Sequence, residues 1–278
     1  MIRRVFAAAV RGLLVSTLVA VPALFLPSDA DTVEIAVLFS VFAGLLVFFE
    51  YNSDYPSLLD FRNAPPFNRI RFAGPFLTMF LLVVTTHGEQ APSGFSDVCR
   101  LVGLNLGLTL DFPFSPVRLL AFAQPQGADL VDHLRLMTHA GLAILVSLVF
   151  LAVFVLMVRV LNWPVRQGAF NFWVNLPLFD PTTGGDVIRR LKRDSHFNLA
   201  LGVALPFLIP PILEAAVAMG LGPDLAEPQP LIWTVCIWAF VPTGLIMRGV
   251  ALARIADLIA DKRRRAYAEA EDVDMQIV

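Results

Sequence analysis

The sequence predicts an all-α integral membrane protein, a six-helix transmembrane bundle with short amphipathic interfacial helices. Three observations carry this prediction. Of the 278 residues, 57% are hydrophobic and only 16% charged, with a mean hydropathy of +0.70, whereas a soluble domain carries about 25% charged residues. The charges are gathered into clumps between long apolar stretches. Every second connection between those stretches, finally, is rich in Lys and Arg.

A helix crossing a hydrocarbon core about 30 Å thick needs roughly 20 apolar residues, or a few less when the span is short. Stretches near 5–26, 33–49, 72–86, 136–158, 197–221 and 231–252 meet that requirement. Residues 1–260 therefore read as one polytopic transmembrane domain and 261–278 as a charged cytoplasmic tail.

The first span follows Arg3 and Arg4. With Ser28-Asp29-Ala30 beyond it, the stretch resembles a secretory signal with a small-residue cleavage site, and the Arg-Arg pair before Val5 and Phe6 resembles the start of a twin-arginine signal without its remainder. The apolar region is longer than a signal core, so it is expected to stay as a span. Its removal would leave five spans in unchanged orientation.

The second span runs into a dense loop of aromatics, prolines and charges over residues 50–71. Glu50, Tyr51, Asp54, Tyr55, Asp60 and Arg62 form a candidate partner-binding loop. Clustered carboxylates suit hard cations or acid–base work, but the spacing of Glu50, Asp54 and Asp60 matches no metal motif, and a packed loop with surface ion pairs accounts for it. Arg62, Arg69 and Arg71 make this loop basic. The third span is the shortest.

Between spans three and four, the long segment 87–133 has only Arg100 and Arg118 and is read as the outer loop. Its apolar run 98–110 is too short to cross as a helix. Leu104, Leu106, Leu108 and Leu110 alternate with Asn105, Gly107 and Thr109, a period of two that points to an extended or re-entrant piece on the outer surface.

After the fourth span come Arg159, Arg166, Arg189, Arg190, Lys192 and Arg193. Asp180-Pro181-Thr182-Thr183-Gly184-Gly185-Asp186 reads as a turn, with Asp186 capping a short helix. Glycines at a helix start, with cations beside them, attract phosphate. Gly184, Gly185, Arg189, Arg190, Lys192 and Arg193 are thus candidate contacts for an anion or lipid headgroup; an amphipathic helix resting on anionic lipid accounts for them more simply. No Gly-Lys-Ser/Thr comes after them, so this is not a P-loop.

Pro206, Pro210 and Pro211 in span five and Pro242 in span six each remove a helix hydrogen bond and are candidate hinges. Trp163, Trp173, Trp233 and Trp238 lie near span ends, as an aromatic belt requires. Beyond span six, Ile255, Leu258 and Ile259 continue an apolar stripe, followed by Lys262 to Arg265 and an acidic tail. This is the pattern of an amphipathic helix on the inner leaflet, with a partner-binding stalk as the alternative.

Positive flanks stay in the cytoplasm, so the alternation of basic connections puts both termini there, in a bacterial inner membrane. Ionisable residues within spans mark transport paths. Arg11, Glu34, His139, Glu214 and Arg248 lie toward span ends, with Arg11 able to snorkel, and His139 and Glu214 read as interfacial residues of the outer side. Cys99 and Cys236 form no metal or redox pair and read as reduced structural cysteines.

A net charge of −2 argues against a nucleic-acid partner. The chain lacks HExxH, GxSxG and a glycine-rich nucleotide loop, and neither cofactor nor metal is expected. The reading is a non-enzymatic accessory, assembly or scaffold component, partnered by membrane lipids with anionic headgroups and by other membrane-protein subunits. A small-molecule or lipid transporter built on helices five and six is the alternative. A membrane-embedded transferase acting on a lipid phosphate, with Asp54, Asp60, Asp180 or Asp186 on a metal, is a third; it requires the two basic loops to meet.

Overall fold

The computed structural model describes residues 2–27, 30–124, 128–164, 171–180, 182 and 185–277, with side chains described as far as Glu269. Ser28, Asp29, Arg166, Phe170 and Gly184 lie outside the described residues.

Six helices are long and apolar enough to cross a membrane: α1 (Ile2–Phe25), α2 (Ala30–Asn52), α3 (Phe67–His87), α6 (Leu130–Val160), α8 (Val187–Ala218) and α9 (Pro228–Ile277). Three shorter ones, α4 (Gly94–Thr109), α5 (Pro116–Phe122) and α7 (Phe172–Asn175), lie in the connections. The chain is all-helical among the described residues. Leu38, Phe39, Phe42, Leu148, Leu156, Val203 and Ile212 stand exposed on the long helices, far more apolar surface than water tolerates on a monomer.

Small residues set the helix pairing. Where lipid offers no hydrophobic drive between helices, close backbone approach provides it. In the α1–α2 hairpin a Cβ on Gly12 would lie 2.6 Å from the Gly44 carbonyl oxygen. In the α8–α9 pair the Ser195 hydroxyl donates to the Gly249 carbonyl at 2.8 Å. α2 packs on α1 and leaves its remaining faces open.

The segment 98–110 is a correction. It is not extended but forms the core of helix α4, begun by a reciprocal capping box between Ser93 and Ser96. Its buried stripe is Ser96, Cys99, Gly103 and Gly107, at helical spacing. The leucine alternation misleads because the face that packs is made of small residues. A Cβ on Gly107 would lie 2.1 Å from the Met137 carbonyl oxygen and one on Gly141 2.1 Å from that of Gly103, so α4 presses directly on α6.

Three further expectations change. Asp186 holds the N-cap position, yet the helix it opens is not short: α8 continues for 32 residues into the fifth span. The tail likewise forms no separate helix on the membrane surface. α9 runs unbroken for 50 residues, about 75 Å at 1.5 Å per residue, and Ile255 and Ile259 pack on the loops instead of on lipid. His139 does not face water or headgroups either. It is fully buried, its Nδ1–H donating to the Arg135 carbonyl at 2.6 Å and its Nε2 meeting the Thr86 hydroxyl at 2.9 Å, while Glu214 is exposed.

Two cores result. One gathers Leu82, Val117, Leu120, Leu136, Ile232 and Trp238 beneath α4 and α5. The other gathers Phe61, Phe67, Phe154, Trp163, Leu191 and Ile255 where the arginine-bearing connections meet, at the arginine-rich end of the molecule.

Candidate functional site

The loop from Ser53 to Pro66 folds back on the end of α2 because two charged side chains there turn inward. The Glu50 carboxylate accepts from the backbone N–H groups of Ser57, Leu58 and Leu59 at 2.9 to 3.1 Å and from the Ser57 hydroxyl. Arg62 donates to the carbonyls of Glu50, Ser53 and Asp54 at 2.7 to 3.0 Å, meeting the negative pole of α2 and its unpaired last carbonyls.

The two basic connections then interlock. The Phe61 N–H donates to the Asn175 carbonyl at 2.7 Å and the Asn63 N–H to the Asn175 side-chain oxygen at 2.9 Å. The Trp163 indole N–H reaches the carbonyls of Ala64 and Pro65 at 3.3 and 3.2 Å. Phe61, Phe67, Phe154 and Trp163 pack ring to ring, with Phe61 and Phe67 centroids 4.4 Å apart. Phe61 is held at φ +55° while fully buried, a left-handed conformation that a bulky residue keeps only where its surroundings fix it.

Asp60 is carried from this loop into the bundle. Its carboxylate meets the Arg248 guanidinium of α9 at 2.6 Å, and Arg248 also donates to Asn198 of α8 at 3.2 Å. The loop, α8 and α9 are thereby tied at one point. The other Asp60 oxygen is buried without a hydrogen-bond partner.

The remaining candidates of this loop lie nearer the surface. Asp54 pairs with Arg4 at 2.6 Å, and that guanidinium holds its carboxyl below the ordinary carboxylate range. Tyr55 is exposed. Tyr51 carries the Arg11 guanidinium 4.5 Å above its ring, a cation–π contact.

The candidate headgroup contacts are dispersed. Gly185 is exposed at φ +101°, and Arg189 is exposed. Arg190 lies 4.7 Å over the Phe179 ring, Lys192 pairs with Asp257 at 3.3 Å and Arg193 with Asp194 at 3.5 Å. The Asp180 carboxylate accepts from the Thr182 N–H and hydroxyl, and Asp186 pairs with Arg263 at 3.1 Å. So the loops meet, but Asp54, Asp60, Asp180 and Asp186 each have a different partner. Among the described residues no three His, Cys, Asp or Glu side chains are placed to hold a metal ion.

Of the candidate hinges, Pro206, Pro210 and Pro211 lie within the unbroken α8 and Pro242 within α9. Pro210 lacks the N–H that the Pro206 carbonyl would have received. The Trp238 indole takes its place, at 3.0 Å.

Sequence reasoning missed a cavity of about 540 Å³ between the α1–α2 hairpin, the folded loop and the start of α3. Arg11, Arg62, Arg69 and Arg71 line its polar end; Leu14, Val15, Leu18, Leu46, Val47 and Phe72 line the rest. The available clue was Arg11, which shares one helical face with Leu14, Val15 and Leu18. A second cavity, of about 450 Å³ and almost wholly apolar, lies between the hairpin and the start of α9.

The described residues are all-helical, and their six apolar helices of spanning length are compatible with a multi-pass membrane protein. No protein-family model, curated protein or solved structure matches it.

Proposed function

We propose that the chain is a non-enzymatic accessory or scaffold component of a bacterial inner-membrane assembly. It crosses the bilayer six times, with the arginine-rich end and both termini in the cytoplasm. One observation carries this reading: the two basic connections are locked into a rigid platform from which α9 projects as one continuous helix. Only about 30 Å of α9 is needed to cross the hydrocarbon. The rest forms a stalk whose exposed face carries Lys262, Arg264, Arg265 and Tyr267. A rigid platform with a protruding helix presents a preorganised contact surface, which lowers the ordering cost of binding. The transferase reading draws less support, because its four carboxylates are engaged separately.

The test is purification of the tagged full-length chain in mild detergent. The expected result is a stoichiometric companion membrane protein that is lost about tenfold when Lys262 and Arg265 are both replaced by glutamate, with the level and thermal midpoint of the chain unchanged. A chain that migrates alone at every detergent strength overturns the proposal, and so does a companion indifferent to the charge reversal.

A further inference from the structure

We infer that the 540 Å³ cavity at the arginine-rich end is a binding site for a phosphate-bearing amphiphile, specifically an anionic phospholipid of the adjacent leaflet. The site is independent of the scaffold reading and differs from the cluster around Arg189, to which the sequence first draws attention.

The polar end carries four guanidinium groups, on Arg11, Arg62, Arg69 and Arg71, against one carboxylate, Glu50. That carboxylate is already satisfied by the N–H groups of Ser57, Leu58 and Leu59. Among the described residues none of the four arginines forms an ion pair. Elsewhere in the chain Arg118, Arg135 and Arg248 each have a carboxylate. Arg62 is half-buried and Arg11, Arg69 and Arg71 are exposed; four like charges gathered around one carboxylate that is already satisfied repel one another and make a positive field, so this end of the cavity favours an anion.

The arginines divide the work. Arg62 is fixed by three carbonyls and Arg11 by Tyr51 and the Ala7 carbonyl at 2.9 Å, so these two supply charge from a rigid wall. Arg69 and Arg71 are exposed at the mouth, placed to give the forked hydrogen bonds that guanidinium makes with phosphate.

The rest of the cavity selects the ligand's other half. Leu18 lies seven residues beyond Arg11 on α1, about 10 Å deeper along the helix, and Leu14, Val15, Leu46 and Val47 continue that apolar wall. A soluble anion would leave this wall wet; an acyl chain covers it. Because α2 packs on α1 and leaves its other faces open, a lipid chain reaches the wall from the side.

The test is native mass spectrometry of the detergent-purified full-length chain titrated with phosphatidylglycerol or phosphatidylcholine. One phosphatidylglycerol is expected to be retained about tenfold more tightly than phosphatidylcholine. The double variant Arg69→Gln, Arg71→Gln is expected to lose that preference, since each charge-assisted contact removed weakens binding by about tenfold or more. The double variant Arg189→Gln, Arg193→Gln removes the same charge elsewhere on this end and is expected to retain it. Equal retention of the two lipids overturns the inference, as does equal loss in both variants, which would make the effect general surface charge. Displacement by millimolar inorganic phosphate alone would assign the site to a soluble anion and overturn the lipid.

Discussion

Arg248 lies near the end of the apolar stretch of α9, where a lone guanidinium would be poorly tolerated, and Asp60 arrives from a loop nearly two hundred residues earlier to meet it. Removing either partner strands the other. Asp60→Ala and Arg248→Ala are each expected to lower stability by about 3 kcal/mol. The double replacement should cost far less than the sum, because the two groups act as one. Thermal unfolding in detergent of the four proteins reads this coupling, and additive losses would show that the pair is not a unit. Trp238 stands in the same relation to Pro206: it fills a hydrogen bond that Pro210 has vacated. Trp238→Phe keeps an aromatic ring and deletes the donor, leaving the part-buried Pro206 carbonyl without it, and is expected to cost about 1 to 3 kcal/mol. Asp111 gives a pH signature. Arg118, 2.7 Å away, holds its carboxyl below the ordinary range. A lowered folded value means that the pair stabilises above the unfolded value near about pH 4, and that this contribution is lost as pH falls through the lowered one. The stability difference between the wild-type chain and Arg118→Gln should therefore shrink between about pH 5 and pH 2; a difference that is constant or grows on acidification would exclude the pair as its source.

Among the elements, the sequence made the long helices legible and the short ones less so, for one reason. Apolar runs of spanning length announce themselves by composition, whereas α4 packs through Ser96, Cys99, Gly103 and Gly107, residues that carry little hydropathy. Its leucines face elsewhere and produce a strand-like alternation. The stalk was ambiguous on similar grounds: Ile255 and Ile259 mark an apolar face without saying whether lipid or protein covers it, and the covering loops were connected to them only by the fold. In sequence Glu50 and Arg62 read as possible contacts for a partner because charge density in a loop reads as surface; their engagement with backbone groups depends on a turn that spacing alone does not fix. The α4 packing can be tested with the protein's own thiols. Cys99 is buried on the packed face of α4, and Cys236 is buried in α9. Gly107→Leu forces side-chain atoms into the Met137 backbone and is expected to lift α4. In that variant, with Cys236→Ser to leave one thiol, Cys99 should react with a maleimide that leaves it untouched in the parent. Equal protection in both would mean that α4 is held by something other than glycine-mediated contact.

For the whole molecule, charge placement and connectivity bear on the same question from independent directions. Arg4 meets Asp54, Asp60 meets Arg248, and Arg263 meets Asp186. These contacts join the N-terminus, both basic connections and the stalk at one end, although nothing in the primary structure dictates that they touch. The opposite end holds α4, α5 and a compact network in which Arg135 clamps Glu89 and Asp132, so its few cations are neutralised by carboxylates. An asymmetry of free positive charge is what fixes orientation during insertion. The arginine-rich end retains exposed cations at Arg69, Arg71, Arg189 and Lys262, whereas Arg118 and Arg135 at the other end are paired. Six crossings would put both termini on one side, and the proposed orientation, which follows this balance of charge, puts that side in the cytoplasm. Single cysteines introduced at Tyr55 and Tyr267, in a chain with Cys99 and Cys236 replaced, are thus expected to resist a membrane-impermeant maleimide in intact cells and to react once the inner membrane is opened. One at Phe114, an exposed residue between α4 and α5, is expected to react from outside once the outer membrane is made permeable. Labelling of Tyr267→Cys from the periplasm would mean an odd number of crossings or an inverted chain, and the platform and its stalk would then face away from any cytoplasmic partner.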